Sequence, residues 1–393
     1  MPQTFPAQLI RMERLRKSWS QQGLCHGICA VSYLSKIEQG KAEPSDDIIA
    51  PLLERLGIRW YTGEAASAAA ALADALCDAF FSLDTQACTR LLAQLDARRE
   101  ELINGPSMLD LQLLEALHNQ QNGSQLDGFE PAFDERQRGL WLLLRKRFNE
   151  LLAFQPSALA YTFAGSHDYQ QGRYAQAIQR LNRGCELAAA EGRVRVMLLC
   201  RLLLGNCYSD MYEFDLMMKQ YQTATHIAEA LDDSEALQTI RYNVASTDMQ
   251  FCRWQEAYAY FSLVVEPTLL DLHKLAICCE KLEKREEALA ALARAATLMD
   301  ASTQSASLEA RMCALVSYRL SHPRYLREEA YGEQLFACFE DMRRELPKGY
   351  ALFHLPWVIE WHKAHRQYKQ AYELLRGFPV NASLTSMNEH FDH

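Results

Sequence analysis

Few side chains are spaced for catalysis or for metal binding. His362 and His365 stand three residues apart, a spacing that would bring two imidazoles to one face of a helix and towards a metal ion. No third ligand follows at a fitting distance along the chain, so a surface pair without metal is the favoured alternative. The sequence also has no glycine-rich nucleotide loop, no nucleophile elbow and no His-Glu-x-x-His motif. We therefore predict neither an enzyme nor a bound cofactor.

A stripe of hydrogen-bonding side chains is predicted on one short helix near the N-terminus. Val31, Leu34 and Ile37 recur at helical spacing and are expected to face inward. The side chains between them would then be exposed, and they carry hydroxyl and amine groups: Ser32, Tyr33, Ser35 and Lys36.

A short helix and a tight turn would position this stripe. Ser20 can cap a helix over residues 21–25, because its hydroxyl can accept a hydrogen bond from an unpaired first-turn amide. His26 and Gly27 then provide a break before the next helix. A short helix, a tight turn and a third helix with a polar outer face form the arrangement by which a helix-turn-helix fits the major groove of DNA.

The charge distribution agrees with a nucleic-acid partner for this segment alone. The chain has a formal net charge of −9, which excludes a protein that coats nucleic acid with its whole surface. Residues 1–41 nevertheless contain six basic and two acidic residues. For three of the basic residues, Arg11, Arg14 and Arg16, the alternative is a solvated helix face. A small basic segment thus precedes a large acidic one.

The N-terminal sequence resembles the Cro/C1-type (XRE) helix-turn-helix family. The resemblance is carried by residues 20–25 (SQQGLC), 31–41 (VSYLSKIEQGK) and 44–45 (PS). It implies a double-stranded DNA operator as partner. It implies contacts with base edges for Val31, Ser32 and Lys36. It implies contacts with phosphates for Gln21, Tyr33 and Lys41.

Composition places the whole chain in the ordinary globular class. Its 393 residues suffice for two or three domains, and 49% of them are hydrophobic. No apolar run of about 18 uncharged residues is present, so neither a membrane span nor a membrane partner is expected. The N-terminus lacks the pattern of a signal peptide, which favours the cytoplasm. The 12 cysteines are expected to stay reduced there.

The sequence from about residue 65 to residue 378 predicts helices throughout, and it contains a repeat. A polar residue and a bulky residue begin each unit, usually with a small residue three positions later. These bulky anchors are Tyr174, Phe214, Trp254, Arg285 and Tyr368. Nine residues before each of the first four anchors stands a small residue, which would let two antiparallel helices approach closely: Gly165, Gly205, Ala245 and Ala276. We count six helix pairs in residues 157–378.

This repeat resembles tetratricopeptide repeats, lengthened from their usual 34-residue period. The resemblance implies a right-handed α-superhelix whose concave surface is lined by the first helix of each pair. The predicted fold class is all-α, with an N-terminal helix-turn-helix domain followed by this superhelix. We predict four segments: a helix-turn-helix domain in 1–61, a linker with degenerate helical pairs in 62–156, the repeat domain in 157–378 and a polar tail in 379–393.

The phase of the small residues predicts which side chains line the concave surface. Asparagine, serine, tyrosine and arginine there could hydrogen-bond the backbone of an extended peptide. The alternative is that these residues face solvent or pack between repeats. The predicted peptide-binding residues are Ser166, Tyr169, Arg201, Asn206, Tyr242, Asn243, Ser246 and Glu280.

An XRE helix-turn-helix followed by a tetratricopeptide superhelix is similar to the peptide-sensing regulators of Gram-positive bacteria, the group named for Rgg, Rap, NprR, PlcR and PrgX. The resemblance implies a cytoplasmic transcriptional regulator that senses a short signalling peptide in quorum sensing through residues 157–378. It also implies a homodimer in which each head binds one half-site. The alternative is a protein-binding regulator or scaffold, including a phosphatase-type partner of response regulators.

Overall fold

The structure is a computed structural model that describes residues 4–299 and 307–377. Within these ranges the chain forms 22 α-helices and two 3-10 helices, and it forms no β-strand. The all-α fold class predicted from the sequence is confirmed. None of these helices combines the length and the apolar character that crossing a bilayer requires. The predicted polar tail lies outside the described residues.

The first ten helices precede the repeat. Four of them form the helix-turn-helix region: α1 Phe5–Arg16, α2 Gln21–Cys25, α3 Val31–Glu38 and α4 Asp46–Arg55. The next six are α5 Glu64–Phe81, α6 Thr85–Ala97, α7 Arg99–Ile103, α8 Met108–His118, α9 Glu135–Leu144 and α10 Phe148–Phe154. A 3-10 helix over Ser124–Ala132 separates α8 from α9.

The helices α2 and α3 form where the sequence predicts them. The Ser20 hydroxyl accepts a hydrogen bond from the Gly23 amide at 3.0 Å, which satisfies one unpaired amide in the first turn of α2. Leu34 and Ile37 are fully buried on the inner side of α3. The prediction that Val31 also faces inward is wrong, since its side chain is 42% exposed. Val31 is the first residue of α3 and precedes the turn that packs on the core.

Twelve helices follow, and they alternate as six consecutive pairs. The first three pairs are α11 Ala158–Gln170 with α12 Tyr174–Ala190, α13 Val194–Asp210 with α14 Phe214–Ala230, and α15 Ser234–Gln250 with α16 Trp254–Phe261. The last three pairs are α17 Leu269–Lys281 with α18 Arg285–Leu298, α19 Leu308–Ser321 with α20 Glu329–Glu345, and α21 Lys348–Ala364 with α22 Tyr368–Arg376. Each of the five anchors predicted from the sequence is the first residue of a second helix.

Small residues stand where the helices of a pair approach each other. A Cβ atom built on Gly165 would lie 2.7 Å from Leu181 Cγ, so a larger residue would push α11 away from α12. Ala245 and Ala276 are buried at the corresponding positions of α15 and α17. The predicted role of the small residues in helix packing is confirmed at Gly165, and the burial of Ala245 and Ala276 is consistent with it.

The chain divides into two compact units, which comprise residues 1–163 with 187–196 and residues 164–186 with 197–393. In the first unit, Leu34, Leu52 and their neighbours form the core of the helix-turn-helix region. In the second, a continuous cluster of buried side chains runs through α15 to α21. The finer division at residues 61 and 156 remains a prediction.

Candidate functional site

The outer face of α3 presents most of the residues that were predicted to contact DNA. Val31, Ser32 and Lys36 are exposed, Lys41 is exposed just beyond the helix, and Tyr33 is half-buried. Exposure on one helix within the helix-turn-helix region is what contact with the edges of bases requires. The exposure of Val31 therefore agrees with its predicted contact with base edges, although it contradicts its predicted burial.

A buried ion pair holds α1, α2 and α3 together behind that face. Glu38 accepts a hydrogen bond from Arg14 Nε at 2.6 Å and another from Gln21 Nε2 at 2.8 Å. Arg14 also donates to the Trp19 carbonyl oxygen at 2.8 Å, and only 11% of its side chain is exposed. Arg14 is thus a structural residue, and the solvated-face alternative is wrong for it. Gln21 keeps its second side-chain N–H and its backbone amide as possible donors to a phosphate.

Two ion pairs determine which cations near the N-terminus are left without a partner among the described residues. Of the two acidic residues in residues 1–41, Glu38 pairs with Arg14 and Glu13 pairs with Arg16. The remaining cations of this segment are exposed and form no ion pair with any described residue: Arg11, Lys17, Lys36 and Lys41. The uncompensated positive charge therefore resides on side chains that can reach a phosphate backbone.

The second unit contains a polar cavity of about 270 Å³. Its lining comes almost entirely from the first helix of each pair, as the sequence predicts, and α14 contributes one residue, Tyr221. The volume greatly exceeds the space that a single water occupies, so the cavity can hold part of a ligand. Its principal polar lining residues are Tyr169, Asn206, Ser209, Asp210, Tyr242, Asn243, Ser246, Thr247, Gln250, His273, Lys274, Tyr350 and His354.

Five of the eight residues predicted to bind a peptide line this cavity: Tyr169, Asn206, Tyr242, Asn243 and Ser246. Ser166, Arg201 and Glu280 do not, and two of them are committed to other contacts. Arg201 donates to Gln220 Oε1 at 2.8 Å. The Glu280 carboxylate accepts two hydrogen bonds from Arg319, one from Nε at 2.7 Å and one from a terminal guanidinium nitrogen at 2.6 Å. Ser166 is half-buried on α11, which contributes only Tyr169 to the lining.

A hydrogen-bonded pair of side-chain amides lines the cavity. Asn206 Oδ1 accepts one hydrogen bond from Tyr221 Oη at 2.6 Å and another from Asn243 Nδ2 at 3.0 Å. Ser209 and Thr247 make a parallel link between α13 and α15 through their hydroxyls, 2.7 Å apart. These contacts fix the orientation of both amides at the cavity surface.

We call the part of the cavity around Asp210 its acidic end. Tyr174 donates a hydrogen bond to Asp210 Oδ2 at 3.0 Å. Burial raises the pKa of Asp210 to about 7, although hydrogen bonds from Tyr174 and Tyr169 oppose the shift. Gly349, near the start of α21, approaches this carboxyl group so closely that a Cβ atom would lie 2.6 Å from Asp210 Oδ1. Gly349 thus permits α21 to close over the acidic end.

We call the part of the cavity around His273, Lys274 and His354 its basic end. The imidazoles of His273 and His354 stack with ring centroids 5.5 Å apart. Burial lowers the pKa of His354 to about 3 and lowers that of His273 well below its ordinary value, so both rings are neutral near pH 7. Burial also lowers the pKa of Lys274 to about 8, which leaves its amine mostly charged at pH 7.

The repeat pattern in the sequence does not reveal the part of the lining that α21 provides. Gly349, Tyr350, Phe353 and His354 line the cavity, yet the residue nine positions before the anchor Tyr368 is Ile359, which is not small. An 83-residue gap separates Arg285 from Tyr368 in the repeat, so the phase of α21 could not be read from the earlier units. The only signal was the glycine and the aromatic residues near the start of α21.

The histidine pair considered in the sequence makes contacts within the protein. His362 Nδ1 is hydrogen-bonded to Gln367 Oε1 at 2.8 Å. His365 Nδ1 is hydrogen-bonded to the Trp361 carbonyl oxygen at 2.9 Å, and its ring stacks on that indole. Among the described residues, no group of three or more His, Cys, Asp or Glu side chains is arranged to hold a metal ion.

Comparison with known proteins supports both parts of this architecture. A helix-turn-helix family model matches residues 10–61. The chain is similar to the crystal structure of NprR in complex with its cognate peptide NprX, with 16% identity, a TM-score of 0.52 and coverage of 78% of this chain and 99% of that one. For Bacillus thuringiensis PlcR in complex with the peptide PapR7 and DNA, the identity is 15%, the TM-score is 0.31 and the coverages are 79% and 99%. No curated protein sequence matches the chain.

These matches confirm an N-terminal helix-turn-helix domain of the XRE type and a helical repeat fold like that of NprR. At 16% identity, the likeness to NprR establishes the fold alone.

Proposed function

We propose that this chain is a DNA-binding transcriptional regulator whose repeat region senses a short signalling peptide. In this proposal α3 reads an operator, and the polar cavity of the second unit binds the peptide. The observation that carries the proposal is the presence, in one chain, of an exposed α3 in a matched helix-turn-helix domain and of a polar cavity lined by the first helices of a repeat.

The chemistry of α3 supports the proposed contacts with DNA. Lys36 can donate to the O6 and N7 atoms of guanine, and Ser32 can pair with several base edges. The exposed side chain of Val31 can pack on the methyl group of thymine. Lys41 and Tyr33 would contact phosphates, which fix the register of the domain on the duplex but carry little sequence information.

The amide pair of the cavity supports a peptide as the ligand. Asn206 Oδ1 is already used by two donors, which leaves the Asn206 Nδ2 group without a partner among the described residues. Asn243 retains its Oδ1 acceptor in the same way. A peptide unit presents one carbonyl oxygen and one N–H, so it could accept from Asn206 Nδ2 and donate to Asn243 Oδ1. Tyr242 and Phe353 add ring surfaces for apolar side chains.

The same proposal includes the type of repeat, the location of the protein, its oligomeric state and the way in which the peptide acts. The helix pairs would be tetratricopeptide repeats, the regulator would act in the cytoplasm without a membrane partner, and two copies would form a homodimer. A symmetric dimer would bind half-sites about 34–36 Å apart or at multiples of that distance. The peptide would act by preferring one conformation of the repeat region over another, since a ligand shifts an equilibrium only by its differential affinity.

Selection of duplexes from a random library by the full-length protein tests the DNA-binding part. We expect enrichment of a two-fold symmetric sequence and loss of that enrichment in the double variant Ser32→Ala/Lys36→Ala. Arg90→Ala removes an exposed cation outside the helix-turn-helix region and serves as the control. Failure to enrich any sequence, or equal enrichment by the double variant, would contradict the proposal.

A further inference from the structure

The basic end of the cavity holds the buried ammonium group of Lys274. Lys274 on α17 is only 8% exposed, and it forms no ion pair with any described residue. Its Nζ atom lies 4.5 Å from the ring centroid of Phe353 and 5.1 Å from that of Tyr242. Two ring faces attract a cation but do not neutralise it.

Two carboxylates on the same helix are hydrogen-bonded to other groups. Asp271, one helical turn before Lys274, accepts hydrogen bonds at Oδ2 from the Thr268 amide at 2.8 Å and from the Thr268 hydroxyl at 2.6 Å. These bonds hold Asp271 at the N-terminal cap of α17. Glu280, on the same helix, is bound by Arg319 through two hydrogen bonds. The charge of Lys274 is therefore left for a group from outside the chain, because a buried ion without a partner is unfavourable.

The two imidazoles beside Lys274 also have unused polar atoms. His273 and His354 are 1% and 5% exposed, and both line the cavity. His354 Nδ1 is hydrogen-bonded to the Tyr350 carbonyl oxygen at 2.9 Å, so in the neutral ring Nδ1 carries the proton and Nε2 is an acceptor. That Nε2 atom and His273 Nδ1 are buried without a hydrogen-bond partner. Such atoms are uncommon in native interiors, where a bound water, an ion or a ligand supplies the missing partner.

We propose that the basic end of the cavity binds a carboxylate of the peptide ligand, with Lys274 contacting the anionic oxygens and His354 Nε2 accepting a neighbouring peptide N–H. This inference rests on the proposed peptide-binding function and names the chemistry of one end of the ligand. The carboxylate can come from the C-terminus of the peptide or from an aspartate or glutamate side chain. Asp210, which lines the same cavity, would repel a carboxylate placed beside it when it is ionised.

Affinity selection from synthetic heptapeptide pools tests this inference with the full-length protein. One pool has free C-terminal acids, and the second has the same sequences as C-terminal amides; each pool is made with and without aspartate and glutamate. Lys274→Met removes the charge and approximately conserves the volume of the side chain. Lys281→Met is the matched control, because Lys281 is exposed on the same helix outside this cavity.

We expect the wild type to retain peptides that carry a carboxylate, and we expect Lys274→Met to bind them about 10-fold to 100-fold more weakly. Lys281→Met should bind them as the wild type does. Loss of retention with the amide pool would identify the C-terminus as the source, and loss with the pool lacking aspartate and glutamate would identify a side chain. Both results support the inference.

Two results would overturn it in distinguishable ways. In the first, the wild type retains acidic peptides and neutral amidated peptides alike, and Lys274→Met binds both with unchanged affinity. This result would refute carboxylate recognition and leave the peptide-binding function intact. Retention of no peptide by the wild type would refute both. A cooperative thermal unfolding transition of Lys274→Met, like that of the wild type, checks that this variant is folded.

Discussion

The side-chain amide of Asn243 donates a hydrogen bond to Asn206 Oδ1 at 3.0 Å and thereby joins α15 to α13 across the cavity. Tyr221 donates to the same oxygen atom from α14. One amide oxygen thus connects three helices of two neighbouring pairs. A ligand that engages the remaining donor and acceptor of the two asparagines would contact both pairs at once, so its binding would depend on how the pairs are rotated.

Replacement of either asparagine should weaken peptide binding. We expect Asn206→Ala and Asn243→Ala each to cost about 1–2 kcal/mol of binding free energy, because each removes one hydrogen bond to the ligand and loosens the other amide. The double variant should lose less than the sum of the two, since the residues are in contact. Isothermal titration with a selected peptide measures these values. The exposed Gln222→Ala on α14 is the control, and unchanged affinity in both asparagine variants would remove the pair from the binding site.

The buried ion pair behind α3 should stabilise the helix-turn-helix domain. Glu38→Ala leaves the Arg14 guanidinium buried without its carboxylate, so we expect a loss of about 3 kcal/mol in local stability. Hydrogen exchange of the backbone amides of α1 to α3 measures the effect. Glu13→Ala, which breaks the exposed pair with Arg16, is the control and should leave exchange unchanged. Equal effects of the two substitutions would contradict the structural role of Glu38.

Lys41 and Lys36 should affect DNA binding in different ways. Lys41→Ala removes a proposed phosphate contact, so we expect weaker binding to all duplexes and a decrease of about 0.9 in the slope of log affinity against log salt. Lys36→Ala should instead relax the sequence preference at one position of each half-site. Fluorescence anisotropy with the selected operator and single-position variants separates the two effects. An unchanged sequence preference in Lys36→Ala would place this residue away from the bases.

The acidic end of the cavity should make stability depend on pH. The pKa of Asp210 in the folded chain is about 7, above its ordinary value near 4, so the folded state binds more protons than the unfolded state between these values. The contribution of Asp210 to stability therefore falls as pH rises from about 4 to 7. In Asp210→Asn this contribution is removed, while the amide oxygen can still accept from Tyr174.

The melting temperature of Asp210→Asn, relative to that of the wild type, should therefore increase as pH rises across that window. Thermal unfolding at several pH values measures the trend. Asp96→Asn, an exposed substitution on α6, is the control and should show no such trend. A difference that stays constant from pH 4 to pH 7 would show that Asp210 is not held in a desolvated site.

Local signals allowed much of the fold to be predicted from the sequence. The Ser20 cap defined the start of α2, and the bulky anchors Tyr174, Phe214 and Trp254 each begin a helix. These features depend on residues close together in the chain, where turn chemistry and helical periodicity act. Asn206 and Asn243 could be placed on one surface for the same reason, because both lie one or two residues from a small packing residue.

Long-range packing could not be predicted in this way. Arg14 and Glu38 are 24 residues apart, and nothing in the local pattern distinguishes Arg14 from the exposed Arg16. Glu280 has the phase of a groove residue, but its carboxylate is bound by Arg319 from α19. The contribution of α21 to the cavity depends on how the last pair stacks, which no periodicity within the earlier units encodes.

The most direct test of the regulator proposed here is the coupling between its two ligands. The affinity of full-length protein for its selected operator is measured by fluorescence anisotropy with and without a saturating selected peptide, and the affinity for the peptide is measured with and without operator. We predict that each ligand changes the affinity for the other by the same factor, about 5-fold to 150-fold. At peptide concentrations that saturate the wild type, the double variant Asn206→Ala/Asn243→Ala should show no such change in operator affinity. Equal operator affinity in the presence and absence of bound peptide would contradict the account.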